Sequence, residues 1–243
     1  MLSEAANARV TAHSRDTTSS ARGDPYDRSV IRAVLFDFGG VILSSPFEAF
    51  AAYERRAGLP PDFIRRVNAT ASDTNAWARL ERSELGIDEF IGEFEAEALA
   101  LGHRVDGAAV LECLHGELRP RMVEALRRCR DRYVTALLTN NFLTGNPDWS
   151  SGGSFGPILE LFDVVVESSQ VGVRKPESRF YEIALERVGV AAAEAVFLDD
   201  LGVNLKPARE MGMTTIKVVD PDAALDELGA LLGLHLELPQ RRE

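Results

Sequence analysis

From Val30 onward the chain alternates short, unbroken apolar runs with stretches whose apolar residues recur at helical spacing. The runs are Ala33 to Phe36, Val134 to Leu138, Val164 to Val166, Ala195 to Leu198 and Thr214 to Val219. Such runs suit strands buried on both faces of a parallel sheet. Between several of them lie amphipathic helices: Met122, Ala125, Leu126 and Cys129 follow the i, i+3, i+4, i+7 rule, and Phe180, Ile183, Ala184 and Val188 follow it less regularly. Gly189, Gly212 and Gly233 each stand where a helical pattern stops. The repetition of strand, helix, strand predicts an α/β fold with a doubly wound parallel sheet.

The rhythm breaks once. Between Pro46 and about Arg119 helical patterns dominate and no strand is predicted. Ile87, Phe90, Ile91, Phe94, Ala98 and Leu101 keep one face, and Pro60 and Pro61 separate a helix carrying Phe47 and Phe50 from one carrying Phe63, Ile64 and Val67. An insertion of roughly 70 residues is large enough to pack on itself as a subdomain. The expected organisation is a disordered tail over 1–29, a core made of 30–46 and 120–238, and a helical insertion over 47–119. The tail is rich in Ser, Thr, Ala and Arg, and Glu4, Asp16, Asp24 and Asp27 offset its arginines, which is unlike an acid-poor mitochondrial presequence.

Composition narrows the chemistry. The 243 residues are 45% hydrophobic and 27% charged, with a net charge of −11. That excess of acid argues against broad nucleic-acid binding and against adsorption to an anionic membrane, and a small anionic substrate would need a cation in order to enter. The two cysteines, Cys113 and Cys129, fit neither a disulfide framework nor a zinc pattern. No apolar run has the length of a membrane span and no signal-peptide core is visible, so the expected location is the cytoplasm. Oligomeric state leaves no mark on the sequence.

Ligands of open α/β sheets bind beyond the carboxyl ends of the strands. The first run leads into Phe36-Asp37-Phe38-Gly39-Gly40-Val41, the second into Thr139-Asn140-Asn141 and the fourth into Asp199-Asp200, while Gly172-Val173-Arg174-Lys175-Pro176 follows the third. Taken singly, each has an ordinary explanation as a turn, a helix cap or a solvated lysine. Taken in order, FDFGGV, LLTNN, VRKP and FLDDLGVNLKPAREMG resemble the haloacid dehalogenase superfamily of hydrolases over about Ile31 to Gly233. Within it they look most like the phosphatase-type N-terminal domains of soluble epoxide hydrolase and of the acyl-CoA dehydrogenase family member 10 group. The resemblance implies a Rossmann-like core with the insertion as its helical cap.

For the residues, the resemblance implies a nucleophile at Asp37 that forms an aspartyl-phosphate and a catalytic, phosphate-binding cation at Lys175. It implies further phosphate contacts from Thr139 and Asn140, the amides there opening a helix N-terminus, and a Mg2+ site made of Asp37, the Gly39 carbonyl, Asp199 and Asp200. Carboxylates so close together and to a phosphate would repel each other without a divalent cation, so the charge balance asks for the metal as well. One position departs from the pattern. The residue two beyond the nucleophile is normally a second Asp that protonates the leaving alcohol, and here it is Gly39, which cannot transfer a proton.

The predicted activity is therefore hydrolysis of a small phosphomonoester, with two competitors. One is a metal-independent dehalogenase, against which Asp199-Asp200 argues because the resemblance would then call for Ser and Asn there. The other is a catalytically weak, phosphate-binding regulatory domain, kept in view by Gly39. Gly152-Gly153-Ser154-Phe155-Gly156 matches a nucleophile-elbow pattern, but the segment before it is a loop rather than a strand. His13, His103, His115 and His235 are too scattered for a triad or a zinc cluster.

Overall fold

The computed structural model describes residues 30–141 and 155–236. The expected tail over 1–29, most of the Gly152 to Gly156 motif and the extreme carboxyl terminus lie outside those residues. Five parallel strands form one sheet in the order β3-β2-β1-β4-β5, with β1 Ala33–Phe36, β2 Val134–Thr139, β3 Val164–Glu167, β4 Ala195–Asp199 and β5 Thr214–Lys217. The last strand stops short of the predicted run: Val218 is still buried, but Val219 is 78% exposed.

Alternation along the strands feeds two cores. Val34, Phe36, Leu137, Val196 and Leu198 point to one face, where they pack on Met122, Leu126 and Cys129 of α6 (Pro120–Arg130) and on Leu225 and Leu228 of α11 (Pro221–Leu232). Ala33, Leu35, Ala136, Leu138 and Phe197 point to the other, against Phe180, Tyr181 and Ala184 of α9 (Ser178–Val188) and Leu205 and Ala208 of α10 (Gly202–Glu210), while two short helices, α7 (Gly156–Leu159) and α8 (Ser168–Val171), flank β3 in the chain. Both faces are dry, so the strands can be apolar throughout. The chain leaves β1 toward β2 and β3, then crosses back to β4 and β5 on the opposite side. That reversal beside β1 opens a crevice at the carboxyl ends of the strands.

Five helices lie between β1 and α6: α1 Pro46–Ala57, α2 Phe63–Ala69, α3 Ala76–Glu81, α4 Ile87–Ala100 and α5 Gly107–Glu112. They enclose a third core around Phe50, Phe63, Phe90 and Phe94, with Trp77 packed edge-on against Phe50 and Phe90. Phe90, Phe94 and Ala98 are fully buried as the pattern predicts, whereas Leu101 at the end of that stripe is 37% exposed because α4 has already stopped. Side chains from the longer helices tie down the shorter ones. Buried Glu54 of α1 accepts from the amides of Asp62 and Ile64, both at 2.9 Å, Glu97 of α4 accepts from Ala76 at 2.8 Å, and Glu95 accepts from Gly107 at 2.9 Å. Each bond satisfies a backbone donor at the start of a helix too short to persist alone.

The two connections between this unit and the core run side by side. Leu43 pairs with Leu118 in an antiparallel bridge, the Ser44 amide donates to the Glu117 carbonyl at 2.8 Å, and the Arg119 amide donates to the Ile42 carbonyl at 2.9 Å.

Candidate active site

β1 is buried along its whole length, and the Asp37 amide extends its pairing by donating to the Leu198 carbonyl at 2.9 Å. The Asp37 carboxylate is thereby fixed at the floor of the crevice. Its Oδ1 accepts from the Phe38 amide at 2.7 Å and from Lys175 Nζ at 2.8 Å. Oδ2 receives no hydrogen bond among the described residues.

Beyond Asp37 the chain makes one wide turn over Phe38–Ile42, and its two glycines differ. Gly40 has φ 78°, and a Cβ placed on it would lie 2.2 Å from Asp200 Oδ2, so both its backbone angle and its neighbour require glycine. Gly39 has φ −68° and ψ 131°, with nothing within 4 Å of a Cβ built there. Any L residue could adopt that backbone.

Lys175 is 1% exposed, and its ammonium is fully used: Nζ meets Asp37 Oδ1 at 2.8 Å, Asp199 Oδ2 at 2.9 Å and the Leu138 carbonyl at 2.9 Å. Its backbone is held as firmly. Asn140 Oδ1 accepts from the Lys175 amide at 2.9 Å while Asn140 Nδ2 donates to the Lys175 carbonyl at 3.0 Å, a two-point clamp that also fixes which way the Asn140 amide faces. Phe197 lies under the ammonium, its ring centroid 5.5 Å from Nζ.

Asp199, at the end of β4, is fully buried and saturated. Oδ1 accepts from the Leu201 amide at 2.8 Å and from Asn204 Nδ2 at 3.1 Å, and Oδ2 accepts from Lys175 and, at 3.1 Å, again from Asn204. Asp200 is far less engaged, its Oδ2 accepting from the Ser45 hydroxyl at 3.3 Å. Ligand atoms of Asp37, Asp199 and Asp200 all lie within 4.8 Å of one another, and among the described residues Lys175 is the one cation that touches this group.

The electrostatics follow. Burial pushes the Asp37 carboxyl well above its ordinary value, Lys175 pulls it down, and Asp199 and Asp200 push it up again. Asp200 is pushed up to about 6 by burial and then by Asp199, against the pull of Lys175. Burial works to lower Lys175, but the carboxylates of Asp199 and Asp37 outweigh it and hold the ammonium above its usual range. Three acids and one base in a dry crevice leave negative charge without a counterion, which suits a hard, oxygen-seeking divalent cation.

Of the residues singled out in the sequence, Asp37, Lys175, Asp199 and Asp200 come together in this way. Thr139 is 4% exposed at the end of β2, and its hydroxyl has no partner among the described residues. The helix N-terminus expected beyond Asn140 falls on 142–154, outside the described residues, while the Asn140 side chain is committed to Lys175 and, at 3.1 Å, to Glu81 of α3. Its backbone amide is what remains for an anion. Sequence reasoning missed Asn204, Gly40 and Glu81. Asn204 lies within FLDDLGVNLKPAREMG, five residues after Asp199, and that spacing was its available signal.

A family model for haloacid dehalogenase-like hydrolases matches residues 31–212. Among curated relatives, acyl-CoA dehydrogenase family member 10 of Mus musculus is 38% identical over 87% of this chain and 20% of its own length. Bifunctional epoxide hydrolase 2 of Sus scrofa is 31% identical over 85% of this chain and 40% of its own. The chain thus spans well under half of these two relatives, but it covers 98% of a sesquiterpene phosphatase of Aspergillus oryzae, at 27% identity over 84% of this chain. A Bacteroides thetaiotaomicron enzyme of the family, solved with magnesium and inorganic phosphate, shares the fold at a TM-score of 0.53 and 18% identity, over 77% of this chain and 93% of that one. With the sheet order, the strand-end acids and the buried lysine already in place, these matches establish that the chain belongs to the haloacid dehalogenase-like hydrolases.

Proposed function

We propose that the protein is a Mg2+-dependent phosphatase that hydrolyses a small phosphomonoester through an aspartyl-phosphate at Asp37. The observation that carries this reading is the crowding of Asp37, Asp199 and Asp200 around one ammonium. Bound there, Mg2+ would neutralise the carboxylates and the phosphoryl oxygens together. Asp37 and Asp200 have free lone pairs to hold it, with the Gly39 carbonyl as a further ligand. Asp199 has its oxygens occupied and serves to position Lys175. A sesquiterpene phosphatase among the relatives and a neighbour solved with magnesium and phosphate support the same reading.

The Asp37 carboxylate attacks phosphorus while the bond from phosphorus to the ester oxygen breaks. Lys175 and the Phe38 amide hold Oδ1 and so set the angle of attack. The Thr139 hydroxyl and the Asn140 amide receive the phosphoryl oxygens. Water then cleaves the acyl phosphate, releasing phosphate and restoring the carboxylate. No side chain stands at position 39 to protonate the departing alcohol, so substrates whose leaving group is already a stable anion should turn over best.

The test is hydrolysis of p-nitrophenyl phosphate with Mg2+, with excess EDTA, and by Asp37→Asn. Activity lost in EDTA and reduced at least about 10³-fold in Asp37→Asn is expected, on the scale of removing a nucleophile. No turnover of p-nitrophenyl phosphate with Mg2+, together with release of halide from 2-chloropropionate in excess EDTA, would establish the dehalogenase reading instead.

A further inference from the structure

We infer that Glu81, at the end of α3 in the cap, is a positioning residue that links the seating of the cap to the placement of Lys175. The inference rests on the phosphatase reading only for its kinetic arm.

Glu81 is 9% exposed, and both its carboxylate oxygens are engaged. Oε2 accepts from Arg174 Nε at 2.5 Å and from Asn140 Nδ2 at 3.1 Å, while Oε1 accepts from Trp77 Nε1 at 3.0 Å. Its carbonyl accepts from the Ser168 hydroxyl at 2.6 Å. Trp77 belongs to the aromatic core of the cap, Arg174 precedes Lys175, and Asn140 clamps the Lys175 backbone from both sides. A continuous polar path therefore runs from the cap core through Glu81 and Asn140 to Lys175, and from its ammonium to Asp37 and Asp199. Arg174 ties the same loop to the cap a second time by donating from its guanidinium to the Ser72 carbonyl at 2.9 Å.

The chemistry of the junction calls for a carboxylate in particular. All of the side chains that meet Glu81 present donors to it, and an amide at position 81 would turn its own donors toward Asn140 or Trp77. The negative charge also occupies Arg174. When the cap lifts, α3 carries Glu81 away, Asn140 loses a partner on the cap side and the Lys175 clamp loosens. When it closes, the clamp is restored.

The experiment compares the full chain with Glu81→Gln, Glu81→Ala, Asn140→Ala and the double variant Glu81→Ala/Asn140→Ala. Amide hydrogen exchange at Lys175 and the kcat and KM for p-nitrophenyl phosphate with Mg2+ are both followed. Faster exchange at Arg174 and Lys175 is expected in Glu81→Gln and Glu81→Ala, with β5 and α11 unchanged. A fall in kcat of tenfold or more is expected, and the double variant should lose no more than Asn140→Ala alone, because Glu81 acts through Asn140. Glu81→Gln keeps the shape of the side chain and so retains the test if Glu81→Ala does not fold. Multiplicative losses in the double variant, or unaltered exchange at Lys175, would overturn the link. If the parent protein hydrolyses no phosphate ester, the phosphatase reading fails while the exchange data still decide this one.

Discussion

The core and the cap solve the same problem with different materials. The core hides unbroken apolar strands between two layers of helices, and acids and a lysine gather at the strands' carboxyl ends, where Asp37, Lys175, Asp199 and Asp200 meet. The cap has no sheet to organise it. Its short helices are held by carboxylates reaching across to the first turns of their neighbours, Glu54 to α2, Glu97 to α3 and Glu95 to α5, around a cluster of aromatic rings. In the core, buried charge is concentrated and strained by repulsion, which suits chemistry. In the helical unit, Glu54, Glu95 and Glu97 are matched to backbone donors, which holds short helices in a fixed arrangement.

The sharpest way to break this contrast is Lys175→Ala. The ammonium has no donor to spare, so its loss leaves Asp37 and Asp199 buried without a counterion. We expect destabilisation of about 3–5 kcal/mol in urea unfolding, the scale for breaking one side of a buried pair. A fully stable variant with merely weaker phosphate binding would show that Lys175 serves the substrate more than the fold.

Gly39→Asp comes next. The φ of −68° and the open space at that position make the substitution compatible with the turn. Turnover on an alkyl phosphate should rise up to about 10²-fold, the lower end of general acid catalysis, and on p-nitrophenyl phosphate much less. Equal rates on both substrates in a stable variant would mean that the proton already has another source.

A smaller effect tests the charge imbalance. Asp200 stands at about 6, above the ordinary value of 3.8, so the folded protein holds its proton more tightly than the unfolded chain does. Its contribution is present below the unfolded value and lost as pH rises from about 4 through about 6. Without metal, stability should fall over that window. With saturating Mg2+ the ionised form is the one that binds, so the fall should flatten or reverse, and Asp200→Asn should remove the difference. Melting curves at several pH values, with and without Mg2+, read this directly, and identical slopes would count against the metal site.

The smallest effect belongs to the cap. Glu54→Ala removes the acceptor for two amides at the start of α2 and should cost about 1–2 kcal/mol, the range for losing a helix cap. Hydrogen exchange should rise across α1 and α2 and stay unchanged in the sheet. A global loss of protection would show that cap and core unfold together.

Much of the core was legible because its signals are local. A buried strand is a run of adjacent apolar residues, and Asp37, Asp199 and Asp200 stand directly at the ends of such runs. The cap was legible as a helical interval, but what fastens it was not. Asn140 is 59 positions from Glu81 and 35 from Lys175, and Arg174 is 93 from Glu81. Contacts at such separations leave no periodicity, so nothing in the sequence marked the Asn140 side chain as a clamp on Lys175. Glu54 and Glu97 likewise reach amides 8 to 21 positions away, and no helical period marks those partners. Gly40 was hidden for another reason: adjacent glycines look alike in a sequence, and the positive φ and the carboxylate of Asp200 distinguish the one that is obligatory.

The paired connections at Leu43 and Leu118 carry a consequence for lineage. Because the chain leaves and re-enters the core at hydrogen-bonded neighbours, the core experiences everything between them as little more than a hairpin, and closing that gap is nearly independent of what fills it. A module joined in this way can be exchanged, enlarged or trimmed without disturbing the sheet. Cutting at these two residues and grafting the corresponding segment from a relative should yield folded chimaeras with the sheet intact, whose activity depends on whether the graft brings a carboxylate to the place of Glu81.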